Sequence, residues 1–173
     1  MNIAVGCDHA GFPLKDLVVS VIRAAGHGIV DCGAMTVEPD DDYPDYAKAV
    51  AVAVHDGRAE RGVIVCGSGV GVSVAANKIP GVRASMCHDT FSARQGVEDD
   101  SMNVLCLGAR VIGPELAGEV IRAFLGAQFS GAARHRRRLE KVRRIEADAL
   151  AGKFGGAGSS ANTAPSSTDG TEP

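Results

Sequence analysis

The chain has no tryptophan, and aromatic residues are only 4% of its 173 positions, so its interior has to be built from Val, Ile, Leu and Ala. Side chains this small suit helices laid closely on a sheet. No apolar run approaches the ~20 residues that span a bilayer, which argues against a membrane protein. A net charge of only -3 gives the whole chain no reason to seek nucleic acid or a membrane surface. The five cysteines (Cys7, Cys32, Cys66, Cys87 and Cys106) are odd in number and scattered, and the sequence enters its first strand directly after Met1. A reduced, cytoplasmic setting without disulfides is therefore expected. With no cysteine pair at ligand spacing, no zinc site built from these thiols is expected.

What the chain does have is an alternation of short apolar runs and helical patterns. Residues 2–6, 28–31, 61–66, 82–86 and 103–107 read as strands. Between them, Leu14, Leu17, Val18, Val21 and Ile22 recur at helical spacing after Pro13, and Gly26 ends that helix. Further helices are expected over 45–56 (closed by Gly57), over about 70–77, after an N-cap at Asp89 or Thr90, and from Pro114. Strands alternating with helices predict an α/β fold with a mainly parallel sheet covered on both faces. Ligands of such sheets bind beyond the carboxyl ends of the strands. That rule gathers Asp8, His9, Cys66 to Gly71, His88 and Arg110 into one neighbourhood.

The most informative stretch runs from Val63 to Lys78. An apolar strand ends in Cys66, passes through Gly67-Ser68-Gly69-Val70-Gly71 and opens into a small-residue helix. Backbone N–H groups in such a turn suit an anion, and they also stabilise a thiolate. Cys66 is the candidate nucleophile or base, Ser68 a hydroxyl able to pass a proton between adjacent oxygens, and Gly67 to Gly71 the holders of an oxyanion. The Lys-Ser/Thr ending of a nucleotide-binding P-loop is missing, and the glycines follow the third strand rather than the first, where a dinucleotide fold would need them. Cys7, Cys87 and Cys106 read as small buried hydrophobes. The loop 32–43, with Asp40-Asp41-Asp42, reads either as a solvated acidic loop or, through Asp42-Tyr43-Pro44, as one whose end frames a site.

From Ala132 to Leu150 basic residues concentrate on a last helix. Arg134 and Arg138 are four apart and share a face, as a pair gripping one phosphate would. The acidic balance of the remaining chain argues against nucleic acid as the partner of this helix. Residues 1–150 are expected to form one domain, and the Gly, Ser, Thr and Pro-rich stretch 151–173 a disordered tail.

Taken together, Gly6-Cys7-Asp8-His9-Ala10-Gly11, Asp42-Tyr43-Pro44, Cys66 to Gly71, Ala75-Ala76-Asn77-Lys78, Gly81-Val82-Arg83-Ala84, Asn103-Val104-Leu105 and Gly108 to Gly113 resemble the ribose-5-phosphate isomerase B group, with its galactose-6-phosphate and allose-6-phosphate relatives. The resemblance covers residues 2 to about 148. It implies a Rossmann-like three-layer α/β/α sandwich with a five-stranded sheet and a C-terminal basic helix. It also implies a homodimer, or a tetramer built from one, with the site shared between subunits and no metal or cofactor. On this resemblance the substrate is a small phosphorylated sugar, first of all ribose 5-phosphate, converted to ribulose 5-phosphate through an enediolate.

Carried over by motif, Cys66 is the base, Ser68 aids proton movement between O1 and O2, Asp8, His9 and Tyr43 line the sugar, and Gly67, Gly69, Val70 and Gly71 steady the enediolate. Arg110, Arg134 and Arg138 match the phosphate-gripping positions. One position departs from the family: where its members carry a His that opens the furanose ring, this chain has Asp99, followed by Asp100. Either a carboxyl crowded by Glu98 and Asp100 supplies that proton, or the substrate needs no ring opening, as with a linear tetrose phosphate or another sugar phosphate. A pocket kept only for binding, without turnover, is the alternative of another class.

Overall fold

In the computed structural model, which describes residues 1–154, five parallel strands form one sheet in the order β2-β1-β3-β5-β4. The strands are β1 (Asn2–Cys7), β2 (Gly28–Asp31), β3 (Arg61–Cys66), β4 (Ala84–Met86) and β5 (Val104–Gly108). The helices are α1 (Lys15–Ala24), preceded by a 3₁₀ turn at Phe12–Leu14, α2 (Tyr43–His55), α3 (Val70–Ala76), α4 (Thr90–Asp100), α5 (Pro114–Gly126) and α6 (Ala133–Leu150). Every strand and helix expected from the sequence is present, with ends displaced by one or two residues. The fourth strand is the shortest, because Val82 and Arg83 are spent on turns. The Val82 N–H reaches Ile79 O, and the Arg83 N–H goes to the Asn103 side chain. The stretch 155–173, which holds most of the expected tail, lies outside the described residues, while 151–154 form a turn closing α6.

The period of two along each strand sorts the core into two layers. Ile3, Val5, Val63, Val65, Leu105 and Leu107 face one side and pack under α1, α4 and α5, where Val18, Ile22, Val97, Ile121 and Phe124 complete the layer. Ala4, Ile64, Cys66, Val104 and Cys106 face the other side, against Ala47, Val50 and Ala51 of α2 and Val72 and Ala76 of α3. This second layer is thin. The Val50 side chain occupies the space that a Cβ on Gly6 or Gly62 would need, with carbons 2.6 and 2.5 Å from the built positions, so α2 lies almost directly on the backbone of β1 and β3.

Parallel sheets grow outwards through right-handed crossovers. Here β2 is added on one side of β1, and the chain then returns to place β3 on the other side. The order therefore reverses between β1 and β3, and the loops leaving their carboxyl ends diverge. One loop carries Asp8 and His9, the other Cys66 to Gly71.

Candidate active site

The diverging loops open a cleft of about 380 Å³ lined by Asp8, His9, Ala10, Tyr43, Cys66, Gly67, Ser68, Gly71, Arg110 and Val111. Its size is that of a small-ligand site. The first wall is a tight turn: the N–H groups of Gly11 and Phe12 donate to Asp8 O, and Gly11 N–H also donates to Asp8 Oδ1 at 2.7 Å. Asp8 is thereby 5% exposed yet paired. The second wall is stitched to the loop after β5, since Ala109 N–H donates to Cys66 O and Arg110 N–H to Gly67 O. That stitching places the Arg110 side chain within 3.6 Å of the space beside Gly67.

Cys66 lies at the end of β3, 5% exposed, and its Sγ accepts the N–H of Gly69 at 3.1 Å. Gly69 caps α3 at a φ of 84°, a left-handed conformation that glycine enters without the Cβ penalty. Ser68 Oγ accepts the N–H of Val70 at 3.3 Å. Two of the turn's N–H groups expected to face an oxyanion are thus already committed, to Sγ and to Oγ. Gly69 and Val70 shape the turn without lining the cleft. Gly71 is needed for another reason: a Cβ there would stand 2.7 Å from Cζ of Tyr43, whose ring covers the first turn of α3. Sequence reasoning put Tyr43 at the site, and the contact with Gly71 shows how it is held.

Cys7, Cys87 and Cys106 are buried, as the sequence suggests, and Cys32 is half-buried. Burial pushes the Cys7 thiol up to about 11, with Lys15 acting against it, and burial likewise raises Cys32, Cys87 and Cys106. These four are kept as thiols through the neutral range. All five cysteines are free.

Besides Gly69 and Val70, the predicted site residues Asp99, Asp100, Arg134 and Arg138 do not line this cleft within one chain. Asp99, on the last turn of α4, accepts from Gln95 Nε2 at 3.0 Å and stands 3.3 Å from His135 Nδ1. His135 is 3% exposed, lies 2.7 Å from Ser130 Oγ through the same Nδ1, and accepts from Arg134 Nε at 2.8 Å. Because Nε2 accepts, the neutral ring carries its proton on Nδ1, turned towards Ser130 and Asp99. Asp99 thus stands beside the imidazole that holds Arg134, a link invisible in the basic run of the sequence. Asp100 instead borders a separate groove of about 750 Å³, and Arg138 is exposed on α6. His88, gathered with the site by the sequence, also stands outside the cleft. Its Nε2 accepts the Gly108 N–H at 3.0 Å and so braces the end of β5.

Asp41 is the residue that sequence reasoning missed. The middle member of an acidic triplet, it turns inwards while Asp40 and Asp42 face solvent. Its Oδ1 lies 2.5 Å from His9 Nδ1, and both of its oxygens accept the His9 backbone N–H, at 3.0 and 3.2 Å. Burial pushes the Asp41 carboxyl up, but hydrogen bonds from the His9 ring, the His9 N–H and the Tyr46 hydroxyl outweigh it and hold the group below its ordinary value. Asp8, His9 and Asp41 also form the one group of potential metal ligands among the described residues, within 4.8 Å of one another.

A family model described as Ribose/Galactose Isomerase matches residues 3–142. The chain belongs to this family. It is 44% identical over 145 residues to ribose-5-phosphate isomerase B of Escherichia coli, covering 84% of this chain and 96% of that one. It is also 41% identical over 131 residues to D-erythrulose-4-phosphate isomerase of Pectobacterium atrosepticum, covering 76% and 86%. Among solved structures, ribose-5-phosphate isomerase B of Mycoplasma genitalium with bound ribulose-5-phosphate superposes with a TM-score of 0.80 at 36% identity, covering 85% of this chain and 97% of that one. The chain is a sugar-phosphate isomerase, and the Rossmann-like α/β architecture expected from the sequence holds. Among the described residues no helix is long and apolar enough to cross a membrane.

The contact between Gly71 and Tyr43 yields a prediction for this isomerase. Gly71→Ala forces the Tyr43 ring off α3 and should lower kcat/KM by at least about tenfold, since displacements near 1 Å can cost up to ~10² in rate. An unchanged far-UV spectrum would show the fold intact, and wild-type kcat/KM would contradict the framing role given to Tyr43.

Proposed function

We propose that the chain interconverts an aldose phosphate and its ketose through an enediolate, with ribose 5-phosphate as the first substrate. The observation that carries this reading is the convergence of Cys66 Sγ, Ser68 Oγ and Arg110 on one small cleft with Asp8 and His9 opposite. In this reading the Cys66 thiolate takes the proton from C2 of the open-chain aldose, the electrons of that C–H bond form the C1=C2 bond, and the carbonyl π pair moves onto O1. Ser68 passes a proton between O1 and O2. Return of the proton from Cys66 to C1 completes the ketose. Main-chain N–H groups of the Gly67 to Gly71 turn not bound to Sγ or Oγ carry the charge on the intermediate. Asp8, His9 and Tyr43 hold the hydroxyl-bearing part of the sugar. No metal or cofactor is required by these steps.

The phosphate needs more positive charge than one chain brings to the cleft, where Arg110 is the sole Lys or Arg among the described lining residues. Arg134 and Arg138 supply it from a second copy of the chain in this reading. Support for pairing comes from the groove of about 750 Å³ between β4, α4 and α6, bordered by Met86, Val142, Ile145 and Leu150. These side chains are 40 to 68% exposed, and β4 is an edge strand. An apolar, edge-bearing surface of this kind calls for a partner. Five free thiols fit a reducing compartment.

A second substrate reading is favoured by Asp99. Its carboxylate is tied to Gln95 and His135 where family members carry the ring-opening imidazole, and a four-carbon sugar phosphate cannot close the phosphate-bearing furanose that needs opening. The relative acting on erythrulose 4-phosphate fits this reading.

A panel of four-, five- and six-carbon sugar phosphates decides between the two by kcat/KM. The ribose reading expects the five-carbon aldose to lead. A lead by the tetrose, together with a large gain on ribose 5-phosphate alone in Asp99→His, would establish the second reading. No turnover of any member despite measurable binding would leave a binding protein.

Sharing of the site is tested by mixing Cys66→Ala with the Arg134→Ala/Arg138→Ala double variant, each inactive alone. Random exchange between two-fold dimers should restore about a quarter of wild-type activity, because one site of each mixed dimer is intact. No recovery in a mixture whose subunits have exchanged would contradict the shared site.

A further inference from the structure

Two donors of His9 converge on Asp41, the only member of its acidic triplet turned inwards: the His9 ring and the His9 N–H. The carboxylate is 6% exposed, whereas the His9 side chain is 30% exposed and borders the cleft. An ionised carboxylate can only accept, so the ring nitrogen it meets at 2.5 Å is Nδ1–H. In the neutral ring the lone pair then sits on Nε2, the nitrogen left for the cleft. The backbone bond to the same carboxylate fixes the main chain of His9 as well as its ring, which defines where Nε2 stands.

We propose that Asp41 is a positioning residue of the isomerase site, which locks His9 in one orientation and in its Nδ1–H tautomer so that Nε2 accepts a hydrogen bond from a substrate hydroxyl. The role rests on the isomerase reading above. It matters here because His9 is the sole imidazole lining the cleft among the described residues, His135 and His88 being committed elsewhere. A phosphorylated sugar presents several hydroxyls, and an acceptor at a fixed place selects which of them turns inwards. A His9 ring free to change tautomer would offer Nε2–H instead, a donor where the hydroxyl needs an acceptor.

The tautomer is read directly from the two ring-nitrogen shifts of His9 in ¹⁵N-labelled full-length protein near pH 8, assigned by comparison with His9→Ala. Wild type should show a protonated Nδ1 and a bare Nε2, and Asp41→Ala should lose that pattern. In kinetics, Asp41→Ala should lower kcat/KM by about 10- to 100-fold, the scale of losing a group that orients a functional imidazole. Asp41→Asn, whose amide oxygen still accepts from Nδ1–H, should recover part of it. Adding Asp41→Ala to His9→Ala should cost nothing further, because Asp41 acts through His9. A bare Nδ1 in the wild type would overturn the proposal, and so would the same kinetic loss from Asp41→Ala with or without His9. The spectrum needs no substrate, so it decides on Asp41 even where every sugar phosphate proves inert.

Discussion

Between β1 and β3 the sheet reverses the direction in which it grows, and the cleft follows from that reversal. The loops after β1 and β3 part and leave space lined by a strand-end carboxylate on one side and a strand-end thiol on the other. Beside this reversal α2 lies almost on the backbone of β1 and β3, which Gly6 and Gly62 permit by offering Val50 no obstruction. A side chain at either glycine would lift α2 and, with it, Tyr43 at the start of that helix. The scarcity of aromatic residues belongs to the same design: a thin layer rich in Ala and Val holds α2 and α3 close to the sheet.

Around the cleft each functional group is fixed by the main chain rather than by bulky packing. Asp8 takes the Gly11 N–H, Cys66 the Gly69 N–H, Ser68 the Val70 N–H, and Arg110 is anchored through Gly67 O. Hydrogen bonds of this kind place the groups before substrate arrives, so little reorganisation is left for the reaction. His9 is the exception, held by another side chain, and Asp99 with His135 repeats the same arrangement on α4 and α6. In both pairs a carboxylate stands behind an imidazole, facing the cleft in one case and turning to Arg134 in the other.

The strands, helices and the Cys66 turn were legible because they rest on local rules: apolar period, caps, and the glycines at 26, 57 and 69, all of which adopt positive φ. The neighbourhood of Asp8, His9, Cys66 and Arg110 was legible because parallel topology sends all strand ends to one edge. Asp41 was not, since nothing local distinguishes it from Asp40 and Asp42; only the path of the loop over His9 turns it inwards. His135 was hidden for a similar reason. Amid six arginines at 134, 136, 137, 138, 143 and 144 it reads as part of a charged face, and its burial comes from α6 packing on α4. The place of Asp99 could be read as a departure from the family, but its engagement with Gln95 and His135 required the fold.

The central claim is that Cys66 carries a proton between two neighbouring carbons of the sugar phosphate at this cleft. Isomerisation run in heavy water tests it most directly, by following deuterium into the carbon next to the carbonyl by NMR or mass spectrometry. Wild type should incorporate deuterium at that carbon during turnover, and Cys66→Ala, folded and still binding the sugar phosphate, should incorporate none. Deuterium entering at the wild-type rate in Cys66→Ala would contradict the account.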